Sequence, residues 1–441
     1  MPTRLTPRHK LPYFLLCIDK SGAERPEEDG SLLSERILDA VRGTDPKVTD
    51  VFVMSHGWKG DVDSAIDQYD RWIDVMGDCT EDRARAREVR PGFTPLLVGF
   101  HWPSLPFGEE GMGGNAFDTA SGMGQDAFVD LWAERIADTP GARAALQTLF
   151  AAALDDLEPE RLSAAVIGAY QTLDREAGLG TGGPAAAPEA DRAGFDPQQL
   201  YLDAADAEAS FGGGFLGGLL SPLRELSFWT MKKRARICGE TGGHRLVSAI
   251  RAAGGDTVRI HLMGHSFGCI VVSSMLRGTE VAHPLRVSSA FLVQGALSLW
   301  SFAAELPRGA ATPGWFRPVL DRNRISGPMV VTTSRFDRAV GSLYPAAAGA
   351  AGQVAYDLAS AQLPTYGALG AFGARGSGVN AQPRALTLGD LTSDHGLAPG
   401  QVYNVNGDAV IRSGGGLSGA HSDIAHPEVG HLFWNAVLAA P

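Results

Sequence analysis

The stretch from Val258 to Cys269 reads VRIHLMGHSFGC, an apolar run that ends in Gly-x-Ser-x-Gly. The segment after it, CIVVSSMLRG, is apolar enough for a buried helix and stops at Gly278. A strand, a serine between glycines and a helix leave the backbone few options. Small neighbours let two segments pass close together, and the serine then sits on a sharp turn at the strand's end. The five residues alone also occur in plain turns. The two flanks give the motif its weight, and Ser266 is the candidate nucleophile.

Around this element, strand-like runs alternate with amphipathic ones. The runs are PYFLLCI, VTDVFVMSHGW, PLLVGFHWP, TVRIHLMGHSFG, VSSAFLVQGA, PMVVTTSRFD and QVYNVNGDAVI. Between the first of them lie SLLSERILDAVRG, with Ser31 as its expected N-cap, and DVDSAIDQYDRWIDVMG. Such alternation predicts an α/β fold, a mostly parallel sheet covered by helices on both faces. One connection is out of proportion. Roughly 150 residues separate Pro103 from Gly255, where a βα connection normally takes far fewer. It holds the helix-like stretches DAFVDLWAERIAD, GARAALQTLFAAALDDL and ERLSAAVIGAYQTLDREA and a low-complexity link, GLGTGGPAAAPEADRAG. The expected organisation is therefore 1–102 and 239–441 as the two parts of the core. Residues 103–238 form a helical, cap-like insertion over the sheet's carboxyl edge.

A formal net charge of -12 argues against nucleic acid as a partner, because an acidic surface repels phosphate backbones. Cys17, Cys79, Cys238 and Cys269 are widely spaced and form no CxxC pair, so buried, reduced thiols are expected rather than a zinc site or disulfide framework. The first apolar run ends at Asp19 without a small-residue cleavage site and reads as a strand rather than a signal peptide. No stretch reaches the length of a membrane span, and cytoplasmic residence is expected.

Acyl transfer by a serine needs donors for an oxyanion, a base and an acid. One donor is the N–H of Phe267, directly after the serine. The second is expected from the turn in VFVMSHGWKG, where Gly57 lets the chain bend and brings the N–H of Trp58 to the site. The acid must follow a later strand. Asp337 does, in PMVVTTSRFD, whereas Asp321 follows no clear strand and Glu305 lies well past one. The base must follow the last strand. His421 lies in the glycine-rich loop after QVYNVNGDAVI; His426 is second choice, His431 falls in a helix and His395 comes too early. His421, His426 and His431 are five residues apart, which turns successive side chains by about 140° around a helix, so they do not form a metal site. No metal or cofactor is expected.

These residues resemble the α/β-hydrolase superfamily of serine esterases and lipases, in a bacterial branch without a settled substrate. The pieces that carry the resemblance are SHGWKGDVDSAIDQYDRWID, LLVGFHWPS, SFWTMKKRARICGETGGHRLVSAI, IHLMGHSFG, VTTSRFDRAVGSLYP and GAHSDIAHPEVGHLFWNAV. The resemblance implies a mostly parallel sheet of eight or fewer strands, a triad of Ser266, Asp337 and His421, and a cap that guards the pocket. Lids in this superfamily often follow the sixth strand, whereas the insertion here precedes the strand of the serine.

The expected activity is hydrolysis of carboxylic esters, hydrophobic acyl esters or lipids among them, through an acyl-enzyme. Gln294, Trp102 and His265 are candidates for contacting substrate, with Phe107, Trp300, FGGGFLGGLL and GALGAFGARG as candidate acyl-pocket walls. Thioester or amide hydrolysis by the same triad is the alternative, followed by a non-catalytic interaction protein. Membrane contact through FGGGFLGGLL lacks flanking basic residues, apart from MKKRAR some residues on.

Overall fold

The computed structural model describes residues 3–58, 61–104, 124–156, 159–203, 219, 221–279, 285–306, 312–343, 363–379, 386–416 and 418–441. Among the described residues nine strands form one sheet in the order β1-β2-β4-β3-β5-β6-β7-β9-β8. They are β1 (Thr3–Leu5), β2 (Pro12–Cys17), β3 (Asp50–Ser55), β4 (Pro95–His101), β5 (Arg259–His265), β6 (Ser289–Val293), β7 (Met329–Thr333), β8 (Leu386–Thr387) and β9 (Val402–Asn406). Only β1 pairs antiparallel, with β2; every other pairing is parallel. The seven apolar runs all become strands. The sheet exceeds the eight strands implied by resemblance because two short edge strands, TRL and LT, extend it. Neither has the apolar pattern that marks a strand in sequence.

Every residue of β3 is buried, as expected of a central parallel strand with both faces covered. Phe52 and Met54 point to one face, with Met263 of β5, Phe291 of β6 and Val405 of β9. They pack there on Tyr69, Trp72 and Ile73 of α2 (Val62–Asp78) and on Leu432 and Phe433 of the C-terminal helix Pro427–Leu438. On this face α3 (Thr80–Val89) joins the C-terminal helix. The opposite face meets a second group: α1 (Leu33–Arg42), the helix His244–Gly254 and the helix Gly268–Arg277. Asp61 caps α2 by accepting from Ser64 N at 2.8 Å. Ser31 does not cap α1. Its N–H and hydroxyl both donate to Asp29 Oδ1, at 2.9 and 2.6 Å, and Leu32 takes the cap position with no side-chain bond. An Asx turn has outcompeted the cap.

The chain divides into two compact units, one of residues 1–104, 234–345 and 354–441, the other of 105–233 and 346–353. In the second unit, α4 (Gln125–Arg135), α5 (Pro140–Asp155) and α6 (Ala164–Ala177) pack in sequence. Thr139 caps α5, Ser163 caps α6, and Gly178 ends α6 in the left-handed conformation. Among the described residues no helix is long and apolar enough to cross a membrane. The four cysteines are free, three of them buried.

A buried charge cluster locks the start of β3 to the end of the C-terminal helix. Asp50 accepts from Arg90 Nη1 at 2.9 Å, from His261 Nε2 at 3.1 Å and from Thr49 Oγ1 at 2.7 Å. Arg90 also donates to the carbonyls of Val437 and Ala440. Burial pushes the Asp50 carboxyl up, but His261, Thr49 and Arg90 together outweigh it and hold it below its ordinary value. Burial pulls the His261 imidazole down. Both groups bind protons more readily in the unfolded chain, so their stabilisation is present at neutral pH and lost as pH falls. Asp50→Ala is expected to cost about 3–5 kcal/mol, because Arg90 is left buried without its carboxylate. Chemical denaturation at pH 7 checks this; a loss under 1 kcal/mol would contradict it.

Candidate active site

β5 ends at His265, and the next helix begins at Gly268. Two residues turn the chain, and Ser266 takes a left-handed φ of +56°, rare for a residue with a side chain. The flanking glycines are there for space. A Cβ on Gly264 would lie 2.5 Å from Gly268 O, and one on Gly268 would lie 2.2 Å from Ser55 O. The strand-to-helix crossing is thus closed to any side chain at either position. Ser266 N donates to Val293 O at 3.1 Å, tying the turn to the end of β6.

The loops after β7 and β9 converge on this serine. His421 Nε2 lies 2.7 Å from Ser266 Oγ, and His421 Nδ1 lies 2.8 Å from Asp337 Oδ2. A carboxylate only accepts, so Nδ1 carries the proton and Nε2 is free to accept from the serine hydroxyl. Asp337 is fully buried. Its Oδ1 accepts from Val340 N at 3.2 Å, and its Oδ2 also accepts from Gln294 Nε2 at 3.0 Å. The two loops meet again where Asp337 bridges to Gly419.

The turn after β3 passes against the serine from the other side. A Cβ on Gly57 would lie 2.9 Å from Ser266 Cβ. The Trp58 ring stacks on the Phe267 ring, centroids 5.4 Å apart and planes 6° from parallel. So Gly57, Trp58 and Phe267 come together at Ser266. Behind them His56 is fixed. Its Nδ1 donates to Gly57 O at 2.7 Å, because a carbonyl only accepts, and its Nε2 faces His101 Nδ1 at 3.0 Å. Burial pulls His101 down to about 4, so it stays neutral and supplies that bond.

The three residues expected to contact substrate are each buried and bonded to other protein groups. Trp102 is fully buried and donates its indole N–H to His56 O at 3.1 Å, which makes it a brace for the Gly57 turn. His265 is buried; its Nε2 donates to His421 O at 2.8 Å and its Nδ1 accepts from Gln68 at 3.0 Å. It holds the loop of His421. Gln294 is fully buried with both ends of its amide engaged, at Thr332 and Asp337. Sequence position brought all three to the site but does not tell which way a side chain turns.

The competing candidates are occupied. His426 pairs with Asp423 at 2.7 Å and His431 with Asp82 at 2.7 Å, so the three histidines of the loop and helix serve three different carboxylates. Asp423 also accepts from Arg412 N and Ser413 N, and so shapes the loop rather than serving His421. His395 lies against Asn435, and Asp321 pairs with Arg317. Trp300 donates to the carbonyls of Pro364 and Thr365. Residues 367–376 contain the short helix Leu369–Phe372, whose Gly370 packs against the Gln294 backbone. Phe107, and FGGGFLGGLL apart from Leu219, lie outside the described residues.

Comparison with family models, with curated proteins and with solved structures gives no match.

Proposed function

We propose that the chain is a serine hydrolase of the α/β-hydrolase fold that cleaves carboxylic esters. The observation that carries this reading is the unbroken line from Ser266 Oγ through His421 to Asp337, at 2.7 and 2.8 Å. Three more features support it. The groups occur in the order Ser, Asp, His along the chain. Each follows the carboxyl end of its strand: β5, β7 and β9. The turn carrying Ser266 has the strained φ and crowded glycines that a serine held out of a strand-to-helix elbow requires.

In the proposed reaction His421 Nε2 takes the Ser266 proton as Oγ attacks the ester carbonyl. Asp337 holds the imidazole in the required tautomer and balances the charge it gains. The oxyanion is received by the backbone N–H groups of Phe267, at the start of its helix, and of Trp58. The alcohol leaves with the proton from His421, and water then releases the acid from the acyl-enzyme.

A fluorophosphonate probe tests the reading directly. The native protein is expected to label stoichiometrically at Ser266, read by peptide mass spectrometry, and Ser266→Ala to remain unlabelled. Folded native protein that takes up no probe and hydrolyses no short-chain ester would overturn the proposal.

A further inference from the structure

We propose that Gln294 is a positioning residue that orients the Asp337 carboxylate. The inference rests on the hydrolase reading above. Gln294 follows β6, between the strand of the serine and the strand of the acid. It carries a left-handed φ of +48°, the same unusual conformation as Ser266. That conformation is held from two sides. Gln294 N donates to Thr332 Oγ1 at 3.2 Å, and Gly370 packs so closely that a Cβ there would lie 2.6 Å from the Gln294 carbonyl carbon.

The Thr332 hydroxyl also fixes which end of the amide faces the acid. Accepting from Gln294 N, it donates its own hydrogen to Gln294 Oε1, at 3.1 Å. Oε1 is therefore turned to Thr332, and Nε2 is turned to Asp337 Oδ2 at 3.0 Å. The reverse orientation would set an amide oxygen against a carboxylate oxygen, and the pair would repel. Asp337 Oδ2 thus accepts two bonds, from Gln294 and from His421, while Oδ1 is held by Val340 N. With Gln294 in place, the carboxylate cannot rotate away from His421 without losing a buried bond. Such a loss is costly in a fully buried group. Gln294 has no exposed surface with which to touch a substrate.

Among the described residues, the titratable groups nearest this point include His265, whose ring centroid lies 4.9 Å from that of His421. His421 faces Asp337 from the loop after β9, and the neighbouring Arg335 is paired with Asp408.

Two variants test the role, each checked for folding by its thermal transition. Gln294→Leu removes the donor and keeps the bulk. It is expected to lower kcat by about 10- to 100-fold, the usual scale for a misplaced catalytic group, with KM unchanged. Gln294→Glu places a second carboxylate beside Asp337. Two carboxyls in contact in a buried site share one proton, so this variant keeps a donor to Asp337 Oδ2 and is expected to lose less kcat than Gln294→Leu, with the loss growing as pH rises. A third readout does not need turnover: the downfield ¹H NMR resonance of His421 Nδ1–H, assigned by its loss in His421→Ala, should shift in Gln294→Leu. Where neither variant folds, Thr332→Val, which removes the hydroxyl that orients the amide, is expected to move the same resonance. A rise in KM at unchanged kcat would overturn the assignment in favour of substrate contact. An unmoved resonance with wild-type kcat would overturn it outright. Native protein that shows the resonance, and its shift in the variant, but cleaves no ester would instead sink the hydrolase reading and leave the positioning role standing.

Discussion

Ser266→Ala is expected to lower ester turnover by about 10⁴- to 10⁶-fold, to the level left by binding and the oxyanion donors alone. The magnitude follows from what the hydroxyl does. It is the only atom of the residue bonded to His421, and without it the base has no proton to take. The fold should not suffer, because alanine occupies the same backbone conformation with the same Cβ. Ser266→Gly makes the companion measurement. Glycine adopts a φ of +56° without penalty, so this variant should be equally inactive yet more stable by about 1 kcal/mol, the lower end of what such strain costs. An inactive, stabilised glycine variant would mark the turn as a place where geometry is held against its own preference for the sake of the hydroxyl. Turnover in Ser266→Ala within tenfold of native would remove the serine from the mechanism. Both variants are read by initial rates on a chromogenic ester and by thermal unfolding.

Asp337→Asn is expected to lower kcat by about 10⁴-fold with little change in KM. Three donors surround this carboxylate: His421 Nδ1–H, Gln294 Nε2–H and Val340 N–H. An asparagine brings one oxygen and one NH₂ to a place built for two acceptors. If the NH₂ faces His421, the imidazole must accept at Nδ1 and carry its proton at Nε2, where it can no longer take the proton of Ser266. If the NH₂ faces Val340 N, two donors meet in a buried site and Asp337's charge is still missing. In the first case the base is disabled; in the second it keeps its tautomer but loses the charge that stabilises the imidazolium. Rates across pH 6–9 on folded protein check the expectation, and retention of more than a tenth of native kcat would contradict it.

How much of this was legible in the sequence depended on what kind of signal each element leaves. The seven longer strands announce themselves because parallel strands buried on both faces become unbroken apolar runs. The edge strands β1 and β8 do not, since three and two residues carry no period to read. The residues that meet at Ser266 were legible through order alone: a serine elbow, then an acid after a strand, then a histidine after the last strand. Side-chain direction was not legible. Gln294 and His265 stand at the ends of β6 and β5 beside the serine and Trp102 at the end of β4 behind the Gly57 turn, and each bonds to neighbouring protein groups. Gln294 turns because its φ is positive and Thr332 captures its amide. His265 turns because the serine after it bends the chain, leaving its ring between Gln68 and the carbonyl of His421. Ser31 misled because the helix begins one residue later, with Leu32 at the cap position, and its hydroxyl bonds back to Asp29.

The bonds that join Ser266, His421 and Asp337 span 155 and 84 residues of chain. Contacts between such distant segments form only after the loops between them have closed, and proteins dominated by them fold slowly. No local nucleus contains more than one of the three groups. The line of bonds needs β9 in place beside β7, toward the opposite edge of the sheet from β1. The meeting of these three side chains is thus a property of the whole sheet rather than of any one segment, since each arrives from a different strand end.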